Sequence, residues 1–88
     1  MNKADKLLIK HNMLPGYKGY NYIKEILESN ILNADMNITD IYGEIAKKYN
    51  TKGSRVERAI RHIFTKSDIC KTNKISLSLL QIEYEGEN

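Results

Sequence analysis

Apolar positions fall along the chain in short bursts with helical spacing, separated by turn-forming residues. Leu7 and Leu8, joined a turn later by His11, mark an amphipathic helix over residues 4–12. Asn12 and the Leu14-Pro15-Gly16 run end it, because the residue before a proline is pushed out of the helical region. Gly16 and Gly19 bracket Tyr17-Lys18 in a tight connection. From Gly19 to Ser29, the residues Tyr22, Ile23, Ile26 and Leu27 share one helical face, and Lys24, Glu25 and Glu28 occupy the other. Ser29-Asn30 supplies the break.

Over residues 31–37 the pattern is weaker: Ile31, Leu32 and Met36 either form a short helix or plug the core. Asn37 or Thr39 has the chemistry of an N-cap for a helix over about residues 40–49. Its inward positions are Ile41, Ile45, Ala46 and Tyr49, with Tyr42 at the margin. Asn50-Thr51-Lys52-Gly53 is a turn, with Asn50 tolerant of left-handed dihedrals. Ser54 or Thr51 can cap the strongest helix of the chain, which continues to about Lys66. Beyond Ser67, residues 70–74 are polar and turn-like, and Ile75 to Leu79 alternates as a strand does. Leu77, Leu79, Leu80 and Ile82 also suit a helix, and a lone strand has nothing to pair with. A short helix or loose tail is therefore expected there, frayed and acidic from Glu83 onward. The pattern predicts a single all-α domain of about five helices, with a helix-turn-helix at about residues 40–66 and a variable tail at 67–88.

A helix-turn-helix is restrictive because its helices touch beside a short turn. Ala46 supplies a small residue midway along the first helix, flanked by Ile45 and Tyr49. Val56, Ala59, Ile60 and Ile63 give the second helix its inner face. Only the turn departs from expectation, since glycine is commoner there than Asn50. The outer face carries Ser54, Arg58, Arg61 and Thr65, with Arg55, Glu57 and His62 on the flanks. Arginine can bond bidentately to guanine in the major groove, and glutamate can accept from the cytosine amino group. Arg55 and Glu57 are thus the natural base readers, since the N-terminal end of such a helix enters the groove, and Arg58 is a candidate either for base reading or for a phosphate. Lys47, Lys48, Lys52, Ser54, Arg61 and His62 are the candidate backbone contacts, which position without reading sequence. The competing reading is a solvated helix whose Arg58 and Arg61 merely pair with Glu57.

Composition narrows the classes. Eighty-eight residues allow one core, and 41% hydrophobic with 28% charged residues fits a folded domain. A net charge of +3 and a pI near 9.0 suit a polyanionic partner such as double-stranded DNA. Cys70 is the sole cysteine, which excludes an internal disulfide and a cysteine-rich zinc site and fits a reduced cytoplasmic chain. Leu7-Leu8-Ile9 is too short for a signal-peptide core, and no membrane span is expected. Tyr17, Tyr20 and Tyr22 could stack on single-stranded bases, but packing of the first two helices with surface hydroxyls is the better reading. His11 and His62 lack further ligands at useful spacing, Lys18 lacks a phosphate-loop pattern, and no nucleophile has a base partner. Neither an enzyme nor a cofactor or metal is expected.

Two runs, Ile45-Ala-Lys-Lys-Tyr-Asn-Thr and Ser54-Arg-Val-Glu-Arg-Ala-Ile-Arg-His, resemble the DNA-binding effector domain of the master response regulator of endospore formation. Lys18 and the Gly19-Tyr-Asn-Tyr-Ile-Lys-Glu-Ile run resemble an upstream segment of the same family. The resemblance covers roughly residues 7–64 and implies an all-helical domain that binds a short DNA box and regulates transcription. It also implies that Arg55 and Glu57 are base readers, with Ser54, Arg58, Arg61 and His62 at or near the DNA. Several features depart from the family. The chain carries no phosphoreceiver domain, so control by phosphorylation is not assumed. Residues 31–37 are shorter than their counterpart, and Gly43 stands where a proline is common. Past Phe64 the resemblance ends, with the family's final helix, which helps tandem domains touch on DNA, shortened or replaced by residues 71–88. Partners beyond DNA are a second copy on tandem sites or a full-length regulator. In the latter case the chain would be a protein-interaction module using Leu77, Leu79, Leu80 and Ile82, residues that otherwise form a last core helix. The initiating Met1 and irregular acidic end fit a complete small protein.

Overall fold

Asparagines set most of the helix ends in the computed structural model, which describes residues 2–69 and 71–86. Helix α1 (Lys3–Lys10) starts at Asn2, whose side-chain oxygen accepts from the Asp5 amide at 2.8 Å. It ends where Asn12 turns left-handed (φ 65°), which lets the Met13 amide reach back to the Leu8 carbonyl at 3.0 Å. Helix α2 (Lys18–Ser29) ends at Asn30 (φ 60°) and leads into a 3-10 turn, Ile31–Asn33. Ile31, Leu32 and Met36 are half-buried there and pack on the core, so this segment is both a helical turn and a plug. Helix α3 (Ile38–Lys48) is capped by Asn37, which accepts from the Asp40 amide at 2.9 Å. Helix α4 (Gly53–Thr65) and helix α5 (Asn73–Gly86) complete the fold, with no strand among the described residues.

The all-α reading and the positions of the first four helices hold to within a few residues; three details differ. Neither Thr51 nor Ser54 caps α4: Lys52 is the extended residue before it, and no side chain bonds the first turn. The helix begins at Gly53, which leaves Ser54 inside the first turn, beyond the capping position. Tyr49 is 41% exposed rather than inward, since it lies past the last turn of α3 and leans edge-on against Tyr22 with ring centroids 5.1 Å apart. Tyr20 and Tyr22 are buried as expected, but the Tyr20 hydroxyl is not at the surface; it donates to the Asp5 carboxylate.

Residues past Phe64 differ most. Residues 73–86 form a helix of 14 residues, with Leu77 and Leu80 in the core beside Ser76 and Gln81. Ile75, Leu79 and Ile82 line the opposite face, exposed. Two apolar stripes on opposite sides of one helix imitate strand alternation over 75–79, which is why the periodicity misleads. Asn73 fixes the start of α5 by donating to the Tyr42 hydroxyl at 3.1 Å and the Glu57 carbonyl at 3.2 Å. Glu83 is not frayed: it accepts from Lys10 and bonds the His11 ring at 2.8 Å, while Asp68 holds the other ring nitrogen at 2.8 Å. Cys70 and residues 87–88 lie outside the described residues, with the expectations attached to them.

The core gathers these faces around α2 and α4. Ile23, Ile26 and Leu27 meet Val56, Ile60 and Ile63, while Ile41 and Ile45 close one side and Leu7, Leu8, Leu77 and Leu80 the other. Among the glycines the tightest approach is at Gly19. A Cβ there would be driven into the Ala59 carbonyl group, 2.9 Å from its carbon and 2.9 Å from Ile63 Cγ2. Only a glycine lets the two backbones lie this close.

Two outcomes follow from the packing. Gly19→Ala should lower stability by about 1–3 kcal/mol or abolish folding, because the obstacle is backbone that cannot rotate away; urea unfolding checks this. At His11, burial works against protonation, but the bonds to Glu83 and Asp68 outweigh it and raise the pKa above 6.5. The hydrogen bonds that Lys10 and the His11 ring donate to Glu83 lower it below its ordinary 4.5. The stabilisation from raised His11 is full below pH 6.5 and lost as pH climbs through the folded value; that from Glu83 is lost in acid. The gap in melting temperature between the protein and His11→Gln should therefore be widest near pH 5–6 and shrink above neutrality.

Candidate nucleic-acid interface

The turn between α3 and α4 is fixed by Asn50. With its φ at 53°, the Thr51 amide donates to the Ala46 carbonyl at 2.9 Å and the Asn50 amide to the Lys47 carbonyl at 3.4 Å. These two bonds satisfy the last carbonyls of α3 and swing the chain into α4. Gly53 then sits against α3, where a Cβ would stand 3.6 Å from the Gly43 nitrogen. Ala46 is buried at the same junction, as its spacing implied.

Val56, Ile60 and Ile63 anchor α4 inward, which turns Ser54, Arg58, Arg61 and Thr65 to solvent. Arg55 and His62 lie on the flank nearest α2, and Glu57 on the flank nearest α5. The α4 members of the sequence-based set therefore sit on or beside one ridge, while Lys47 and Lys48 end α3 and Lys52 precedes α4, and the cations among them are in two electrostatic conditions. Among the described residues, Arg55, Arg58 and Lys52 form no salt bridge and no side-chain hydrogen bond. The other cations are engaged. Arg61 pairs with Glu57 at 3.0 Å, Lys47 with Glu44 at 3.0 Å, and Lys48 with Glu25 of α2 at 2.7 Å. The Glu25 hydrogen bond pushes the Lys48 pKa up, which keeps this ammonium charged.

Glu57 is half-buried; one of its carboxylate oxygens binds Arg61, while an ionised carboxylate has acceptor capacity left for a further donor. His62 is exposed, its ring centroid 6.2 Å from that of Tyr17. Tyr17 is thus the one exposed member of its tyrosine trio, and three tyrosines do not form a stacking platform.

Both flanks of α4 carry cationic side chains that periodicity could not place. A cleft beside its first turns is lined by Arg55 and Thr51 together with Lys18 and Asn21 from the start of α2. On the other side, Lys71, Thr72 and Lys74 stand next to Glu57 and Arg61. Lys18 is exposed before a glycine, and the two lysines belong to a segment that reads as a polar turn, so only the tertiary arrangement relates them to α4. Among the described residues no group of three His, Cys, Asp or Glu side chains could hold a metal ion. None of the helices described is long and apolar enough to cross a membrane.

The αL geometry gives a direct check on the turn. Asn50→Gly should be neutral or stabilising, whereas Asn50→Val should cost about 1–2 kcal/mol because its Cβ crowds the following carbonyl; thermal unfolding of both variants measures this.

No solved structure matches the chain. A family model does, and it carries the description Sporulation initiation factor Spo0A C terminal. The match covers residues 5–84, so the similarity does not stop at Phe64 but runs through α5. The chain therefore belongs to the family of the sporulation initiation factor Spo0A C-terminal domain, a DNA-binding regulatory domain.

Proposed function

We propose that this domain reads a specific double-stranded DNA sequence by inserting α4 into the major groove, and thereby regulates transcription. The observation that carries the reading is the pair Arg55 and Arg58: both are exposed on the first turns of α4 and neither is tied to a carboxylate among the described residues. A helix with side chains is about 10–12 Å across and fits a groove about 12 Å wide. Arg55 and Arg58 are free to bond guanine edges, and Glu57 can accept from a cytosine amino group with its remaining acceptor capacity. The buried Val56 and Ile60 hold those three side chains in register.

Lys52 and Ser54 lie where the chain enters α4 and are assigned to phosphates, as are Lys47, Lys48, Arg61 and His62. Lys48 would exchange its carboxylate partner for a phosphate, whereas Arg61 would keep Glu57 and turn its remaining guanidinium donors to a phosphate. One such domain has a small footprint, so useful affinity calls for tandem sites or a partner chain.

A second reading has its own observation. Ile75, Leu79 and Ile82 form an exposed apolar stripe, with Leu79 49% and Ile82 68% accessible, and a module that pairs with or antagonises a full-length regulator would present such a face. Leu77 and Leu80 are core residues and take no part in that surface. Leu79→Glu with Ile82→Glu tests this stripe without opening the core.

Selection from a random-sequence duplex library should enrich one short box, with affinity falling as salt rises. Arg55→Ala should cost about 1–3 kcal/mol on that box and relax the choice at one base pair. Lys52→Ala should weaken binding to all duplexes alike and flatten the salt dependence by about one unit of log–log slope. No enrichment, together with salt-independent binding, would exclude DNA reading. Loss of regulation on altering Leu79 and Ile82, with Arg55→Ala silent, would favour the interaction module.

A further inference from the structure

We propose that the flanks of α4 are two phosphate-binding walls, one for each strand of the duplex. Lys18 and Asn21 at the start of α2 hold one strand, and Lys71 and Lys74 at the start of α5 hold the other. The inference rests on the seating of α4 in the major groove proposed above. A groove about 12 Å wide, filled by a helix about 10–12 Å across, brings a sugar–phosphate backbone against each flank of that helix. Whatever stands on those flanks therefore meets polyanion.

On the α2 side, Lys18, Asn21, Thr51 and Arg55 line a cleft of about 320 Å³ that contains no acidic lining residue. Lys18 and Asn21 are exposed, and Lys18 has no carboxylate partner among the described residues. The wall cannot drift, because Gly19, the next residue, is held against the Ala59 carbonyl of α4. Lysine and asparagine side chains are ordinary donors to phosphate oxygens.

On the α5 side, Lys71, Thr72 and Lys74 border a recess of about 370 Å³ with Glu57 and Arg61. The one carboxylate there, Glu57, is neutralised by Arg61 at 3.0 Å, while Lys71 and Lys74 have no salt bridge among the described residues. This wall is also pinned, since Asn73, between the two lysines, donates to the Tyr42 hydroxyl and the Glu57 carbonyl. Glycine contact on one side and an asparagine clasp on the other thus fix two sets of cations at the sides of a single ridge. The segment that sequence periodicity renders as a polar turn becomes part of the DNA-binding surface.

The test uses duplexes of the selected box in which one phosphate at a time is replaced by a neutral methylphosphonate. They are titrated with the full chain, Lys18→Ala, and the double variant Lys71→Ala, Lys74→Ala. Each variant should bind more weakly, with a log–log salt slope shallower by about 0.9 per lysine removed. Lys18→Ala should become indifferent to neutral phosphates on one strand only, and the double variant to those on the opposite strand. Wild-type affinity in both variants, or coupling of both lysine sets to the same strand, would overturn the proposal. Inorganic phosphate, with chloride adjusted to constant ionic strength, forms the second arm. Saturable phosphate binding that depends on Lys18 but leaves duplex affinity unchanged would assign the cleft to free phosphate and overturn the strand assignment. If the wild-type chain binds no duplex, the seating of α4 itself fails; if it discriminates between duplexes while the lysine variants match it, only the walls fail.

Discussion

The backbone contact between α2 and α4 at Gly19 and Ala59 governs the architecture of this domain. Because no side chain separates the helices there, Ile23, Ile26 and Leu27 reach across to Val56, Ile60 and Ile63, and α4 becomes the pivot of the core. The same contact sets where the start of α2 lies. Tyr17 comes beside His62 and Lys18 beside Arg55, so the entry of one helix borders the exposed ridge of another. A packing requirement of the interior thus determines which side chains stand next to the surface proposed to face DNA.

The second constraint is at the helix ends. Asn12, Asn30 and Asn50 each take the left-handed conformation that glycine more often supplies, and Asn2 and Asn37 cap helix starts. Asparagine serves both purposes because its short amide tolerates positive φ and also accepts from free amides. In α3 and α4 this produces an asymmetry. The start of α3 is closed by Asn37, while the first turn of α4 has no side-chain cap and lies beside the exposed Lys52, Ser54 and Arg55.

Much of this was legible in the sequence, for physical reasons that also explain the rest. Val56, Ile60 and Ile63 repeat at helical spacing against an opposed row of arginines, and Asn50 announces a turn, so the α3–α4 unit and its outward residues could be read directly. The Arg61–Glu57 pair is local and follows from spacing alone. Lys48 with Glu25 is not local: the partners are 23 residues apart, and only the folded α2–α3 contact joins them. Gly19 reads as turn punctuation because it follows Pro15 and Gly16, yet its purpose is close helix packing. The end of the chain was the least legible, since apolar residues on both faces of α5 obscure its period, and its similarity to the family runs through residue 84 rather than ending at Phe64. Lys18, Lys71 and Lys74 show nothing in local sequence, because their relation to α4 is wholly tertiary.

The most direct measurement is an amide chemical-shift titration of the labelled chain with its selected DNA box. Shifts are expected to concentrate from Asn50 to His62 and around Lys18, Asn21, Lys71 and Lys74, with α1 and the Ile75–Leu79–Ile82 stripe largely silent. Shifts centred on that stripe, with α4 unchanged, would contradict DNA reading by α4.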